Sequence, residues 1–274
     1  MPAQTSTLRN FIKSVLHERA ATSKMASQRN LALMTHHESG KYRTHVLFDR
    51  NAFVHAVIAT IRAAVKYDPN DRAFSKPIPD FLKKMKRPGD AKEWVYKQLI
   101  NRYSEYMIAT TDMGLHSKYS QGGQANGAWQ VHGPAAIDKY GPLIYDIAMQ
   151  DAGELMPDRN GLPSPFAQNV WKYYKNNRSD VVSTPLDDKY DPQTPQESDD
   201  SIVHNPGKDS FGNFLDSSYH MTGPGPDLSS MRATYNQMIK TLRTIGVSQP
   251  FVKRVLIAAS DNFFDEVEMR KKSS

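Results

Sequence analysis

The sequence predicts an α+β fold, or its α/β variant. We expect a mixed sheet flanked by helices, extended by an N-terminal helical arm, a long Pro/Asp-rich loop and two C-terminal helices. Three observations predict this. The chain has 274 residues, 39% of them apolar, enough for one elaborated core with helical additions. Apolar residues recur at helical spacing in several segments, with short extended runs between them. Residues 128–174, the densest part, read as strand, glycine- and proline-bearing loop, helix, loop and helix.

The elements follow in order. Leu8, Phe11, Ile12, Val15 and Leu16 recur at helical spacing behind Ser6 and Thr7, which can cap. The small, polar stretch from Ala20 to Arg29 follows, so this helix is a docking peptide or an arm laid on the main body. Tyr42, Val46 and Phe48 predict a strand. A helix then opens at Asn51 with Phe53, Val57, Ile58, Ile61 and Val65 on one face. It stops at Asp68-Pro69, because the residue before proline resists the helical region. Residues 69–89 read as loop, and a helix runs from about Asp90 to Met107. After the glycine-rich residues 114–127, Ala128 to His132 read as a short strand. A helix from Pro142 carries Leu143, Ile144, Ile147 and Ala148 until Gly153 ends it. Ser164-Pro165 starts another in the N-cap/N1 arrangement, with Phe166, Val170, Trp171 and Tyr174. Two helices close the chain, from about Asp227 to Thr244 and after Gly246.

These readings divide the chain into an arm (1–30), a mixed domain (31–180), an acidic irregular segment (181–227) and a C-terminal helical hairpin (228–274). Charge follows the division. Residues 1–100 hold 18 basic and 8 acidic side chains, whereas residues 181–227 hold 2 and 9, with 6 of the 17 prolines. A basic front end favours an anionic partner: nucleic acid through residues 1–100, an acidic protein lattice, or the chain's own acidic segment. Only Lys83, Lys84, Lys86 and Arg87 cluster tightly, and no aromatics interleave with them as in a single-strand binding groove.

Several classes are excluded. The absence of cysteine removes disulfides, thiolate zinc sites and a cysteine nucleophile. No apolar run is long enough for a membrane span, and no apolar segment marks a secretory signal, so no membrane association is expected. There is no Walker loop, no GxSxG elbow and no dinucleotide fingerprint.

In the dense segment, Gly141-Pro142 opens a helix and leaves backbone N–H groups at the positive end of its dipole, a seat for an anion or pyrophosphate. The run from Trp129 to Met149, followed by Asp158 to Tyr174, resembles the acyl-CoA-binding half of the GNAT N-acetyltransferase superfamily. It is more similar to the diverged GNAT-like proteins of large tailed bacteriophages, which share YGPLIYDIAM, LMPDR and AxxVWxYY runs. The resemblance covers residues 129–174 of 274. It implies a GNAT-like sheet, acetyl-CoA as cofactor, and a strand (Trp129, Gln130, Val131) whose backbone meets the pantetheine arm. It also implies a pyrophosphate loop of Lys139, Tyr140, Gly141 and Pro142, with Leu143 at the helix start. In the family that loop reads Gln/Arg-x-x-Gly-x-Gly/Ala. Here Leu143 replaces the second small residue, and Pro142 removes one N–H donor, which weakens phosphate binding. The family's leaving-thiolate acid, a tyrosine four residues after the helix alanine, is here Trp171 after Ala167, and an indole cannot serve as an acid. The candidates for the acid are then Tyr173 and Tyr174, further round a helix of about 3.6 residues per turn. The base would come from Asp112, His116 or His132, and the catalytic set is Tyr173, Tyr174 and His132.

The N-terminal LRNFIKSVLHERA is similar to a leader found on virion-associated phage proteins. His36, His37, Glu38 and His45 match no metal-ligand spacing, and adjacent histidines diverge, so no metal site is expected. Asp158-Arg159 predicts a local ion pair in a turn. Asp187-Asp188 and Asp199-Asp200 lie in the acidic segment, where solvated linker is the simplest reading. Two functions follow. One is an acyl-CoA-dependent N-acyltransferase of a tailed phage, located in the virion or the host cytoplasm. The other is a non-catalytic virion protein that docks on capsid, neck or tail proteins through its basic arm and C-terminal helices.

Overall fold

One mixed sheet, built from both halves of the chain, organises the molecule. The structure is a computed structural model that describes residues 22–66, 88–115, 128–158, 163–185 and 217–273. The sheet strands are β1 (Leu31–Glu38), β2 (Tyr42–Asp49), β3 (Met107–Leu115), β4 (Trp129–Val131), β5 (Ala135–Ala136), β6 (Glu154–Met156), β7 (Val181–Pro185) and β8 (Ser217–Met221). They are ordered β1-β2-β3-β4-β6-β8-β7, with β5 beside β3. Among the described pairs only β4–β6 is parallel. The helices are α1 (Ser23–Gln28), α2 (Arg50–Lys66), α3 (Pro88–Asn101), α4 (Gly141–Ala152), α5 (Pro165–Asn177), α6 (Leu228–Thr244) and α7 (Gln249–Ser273). No helix among the described residues is long and apolar enough to cross a membrane.

Strand alternation sorts the core into two layers. Leu33, Leu47, Ala109 and Val131 face a cluster completed by α4 and by Trp171 and Tyr174 of α5. Met34, Val46 and Phe48 face the other way, against α2, α3 and α7. Helix α6 runs along edge strand β1 and joins both layers, with Leu228 and Met231 in the first cluster and Tyr235 to Leu242 in the second. A covered edge cannot recruit another strand.

The helices expected from apolar spacing form with their caps. Ser164 Oγ accepts from Ala167 N at 3.4 Å, Pro165 is the first residue of α5, and Gly153 ends α4 at φ +86°. Two expectations are corrected. The helix drawn to Met107 ends at Asn101, and β3 follows. That strand is buried along nearly its whole length, so its sequence MIATTDMGL lacks the alternation that marks a half-exposed strand. The irregular segment drawn from 181 to 227 contributes β7 and β8, paired from Val181↔Met221 to Pro185↔Ser217, so the boundary at 181 cuts the sheet. The two C-terminal helices form as expected and pack into the main core. The described N-terminal chain begins with α1, and the expected helix at Leu8–Leu16 lies outside the described residues, as do the Lys83–Arg87 cluster and the Asp187/Asp188 and Asp199/Asp200 pairs.

Helix α4 is pinned at its C-terminal end by Asp151. Its Oδ2 lies 3.2 Å from His45 Nε2, 3.1 Å from Arg43 Nη1 and 3.3 Å from His37 Nε2, and its Oδ1 is 3.3 Å from Arg232 Nη2. Arg43 also donates to the Asp151 carbonyl. The bond from His45, then the Arg43 and His37 charges, hold the Asp151 carboxyl well below the usual carboxylate range, while burial lowers His45. A carboxyl lowered in the folded state stabilises above its unfolded value near 4, and this is lost as pH falls through the folded value. Asp151→Asn is therefore expected to cost about 1–3 kcal/mol at pH 7. In urea melts the gap to wild type persists from about pH 8 to 5 and narrows below about 4. A gap that grows in acid would contradict the network.

Candidate functional site

The parallel pair and the helix that joins it create the feature of interest. Strands β4 and β6 share only two residue pairs, Trp129↔Leu155 and Gln130↔Met156. Beyond them the chain after β4 stays with β3. Val131 pairs with Met113 and Ala135 with Thr110, four residues along one chain against three along the other. One extra residue is a β-bulge, which bends the strand and re-aims its side chains. The His132 N–H still bonds to Asp112 O, at 2.9 Å, inside the bulge. The pairing with β6 therefore ends where the bulge begins. In α/β sheets, such a parting at the carboxyl ends of parallel strands is where ligands sit.

At the parting lie His132, Asp158, Gln130 and Asp112. His132 Nδ1 is 3.8 Å from Asp158 Oδ1, with the two side chains 37% and 27% exposed. Gln130 is buried and donates from Nε2 to the same Oδ1 at 2.6 Å. Burial pushes the Asp112 carboxyl up, against the opposing hydrogen bond from Thr44, and burial together with Asp112 and Asp265 does the same for Asp261 on α7. Two of the three base candidates, Asp112 and His132, thus come together, while His116 lies outside the described residues. Asp158 is the residue whose role the spacing missed. The Asp158-Arg159 turn pointed at it, but its partnership with His132 needs β4 and β6 side by side. Arg159 lies outside the described residues.

Gly114 makes room for the imidazole. A Cβ there would lie 2.8 Å from His132 Nε2, a separation that real Cβ contacts essentially never show. Gly114→Ala is expected to push the ring aside. Its stability cost is small, because the ring tip can move, and any activity that uses His132 falls by about 100-fold. Unchanged His132 ring resonances in that variant would contradict the packing.

The loop residues lead straight into α4. Asp138–Tyr140 form a 3-10 turn, and α4 starts at Gly141 with no side-chain cap. Space around the Gly141 Cα is open, and Lys139 is exposed. Tyr140 is buried, and its hydroxyl accepts from Arg29 Nη1 at 2.9 Å. Leu143 points into the core, and Pro142 lends its carbonyl to Tyr174. The strand residues Trp129 and Val131 are buried in the layer beneath α4, with the Arg43 guanidinium 4.1 Å from the Trp129 ring centre. Gln130 faces the other side.

The tyrosines expected as acids are placed differently. Tyr174 is fully buried and donates to Asp146 Oδ1 at 2.7 Å and to Pro142 O at 3.1 Å, so its hydroxyl is committed to holding α5 on α4. Burial and the Asp146 charge raise it well above its usual value. Tyr173 is partly buried beside it. Trp171 packs between Tyr145 and Tyr219, with ring centres 5.0 and 4.9 Å away. The structure thus separates the expected catalytic set: His132 stands at the parting of the strands, and Tyr174 is in the core. Among the described residues no group of three or more His, Asp or Glu is arranged to hold a metal ion. His36 and His37 alternate across β1, and His37 joins Asp151.

No protein-family model, curated protein or solved structure matches this chain.

Proposed function

We propose that this protein is an acyl-CoA-dependent N-acyltransferase with a GNAT-like fold, related to those of tailed bacteriophages. The observation that carries the reading is the parting of β4 from β6, two parallel strands joined through α4, whose start has no side-chain cap, with His132 and Asp158 where the strands part. The open space at Gly141, where α4 starts without a side-chain cap, suits a pyrophosphate. Val131, past the last β4–β6 pair, offers the backbone edge for a pantetheine arm. Acyl-CoA, when bound, supplies an activated thioester. His132 Nε2 takes the proton as the acceptor amine attacks the acyl carbon; the C–N bond forms, the C–S bond breaks, and the thiol leaves with a proton delivered through solvent. Asp158 stabilises the imidazolium. Thermal melts with acetyl-CoA test the reading. At about 100 times Kd a stabilisation of about 2.7 kcal/mol is expected, and it is lost on Gly141→Trp. No shift at millimolar acetyl-CoA would overturn it.

One observation favours a second reading, a virion protein that keeps the scaffold without catalysis. The Tyr174 hydroxyl is locked in the core and Trp171 holds the family's acid position. On this reading the protein docks on phage structural proteins, and mass spectrometry finds it at fixed stoichiometry in purified particles.

A further inference from the structure

We propose that Gln130 is the positioning residue of the His132–Asp158 pair; this rests on the acyltransferase reading. Gln130 is on β4 and His132 follows just past its end, and the His132 ring lies over Gly114, the residue that Gln130 pairs with on β3. Gln130 pairs across with Gly114 on β3 and with Met156 on β6, and the residue is 2% exposed. A buried carboxamide is costly unless it is bonded, which ties its orientation to its partner. That partner is Asp158 Oδ1, at 2.6 Å, two residues past the end of β6. The same oxygen faces His132 Nδ1 at 3.8 Å. One carboxylate oxygen is thereby held by a fixed donor on the strand that leads into the histidine. At 3.8 Å the carboxylate acts on the ring by its charge, which favours the imidazole proton on Nδ1 and leaves Nε2, above Gly114, as the proton acceptor.

The test compares wild type with Gln130→Met, which keeps the bulk and removes the donor, with Asp158→Asn, which is partly exposed and spares the core, and with the double variant. Long-range nitrogen NMR reads the His132 tautomer without any substrate. Wild type is expected to hold the proton on Nδ1, each single variant to give a mixture, and the double variant to match the singles. In turnover with acetyl-CoA and an amine, kcat falls about 10-fold in either single variant, the KM for acetyl-CoA stays, and the two losses do not add. An unchanged tautomer in Gln130→Met, or losses that add, overturns the assignment. Wild type that holds the Nδ1 tautomer but neither binds acetyl-CoA nor turns over overturns the acyltransferase reading instead, and the tautomer series still decides the role of Gln130.

Discussion

Trp171→Ala is expected to cost about 3–5 kcal/mol, the range for removing a buried large aromatic. For a chain of this size the melting temperature falls by on the order of 10 °C. The indole is 1% exposed and packs against Tyr145, Tyr174 and Tyr219, so nothing nearby can close the cavity cheaply. Trp171→Phe recovers most of the loss. A cost below about 1 kcal/mol would mean that the ring is not in the core. The result also separates two roles for the helix that the family resemblance gives to catalysis. Here α5 braces α4 through Trp171 and through the Tyr174 bonds to Asp146 and Pro142.

On the acyltransferase proposal, His132→Ala is expected to lower kcat for acetyl transfer by about 100- to 10,000-fold, the usual contribution of a placed general base. The acetyl-CoA thermal shift is retained, because the first turn of α4 is untouched. The imidazole is 37% exposed and packs lightly, so stability changes little. Full activity in His132→Ala would pass the base role to Asp112, whose carboxyl is pushed up by burial.

Helices were legible because their signals are local. Ser164-Pro165 caps, Gly153 terminates, and the apolar spacing of Leu143 to Ala148 survives in the fold as the buried face of α4. Two of the buried strands, β3 and β6, were not legible, whereas β4 was. β3 carries apolar and polar residues without alternation, and β6 has only three residues, too few for any period to show. β7 and β8 escaped for another reason. Each is short, and their partnership joins residues on either side of an acidic stretch whose composition reads as linker.

The candidate site divides along the same line. The Gly141-Pro142 helix start and His132 could be picked out from the sequence, since each is a local chemical signal. The commitment of Tyr174 to Asp146, and of Gln130 to Asp158, could not. Local spacing dictated where helices begin, which face they bury and which glycine opens a helix, because those preferences act within a turn or two of the chain. Which hydroxyl is locked away, which carboxylate meets the imidazole and where two parallel strands part were decided by long-range packing. A side chain's chemistry depends on its burial and on neighbours brought from distant parts of the chain, and no short-range pattern encodes them.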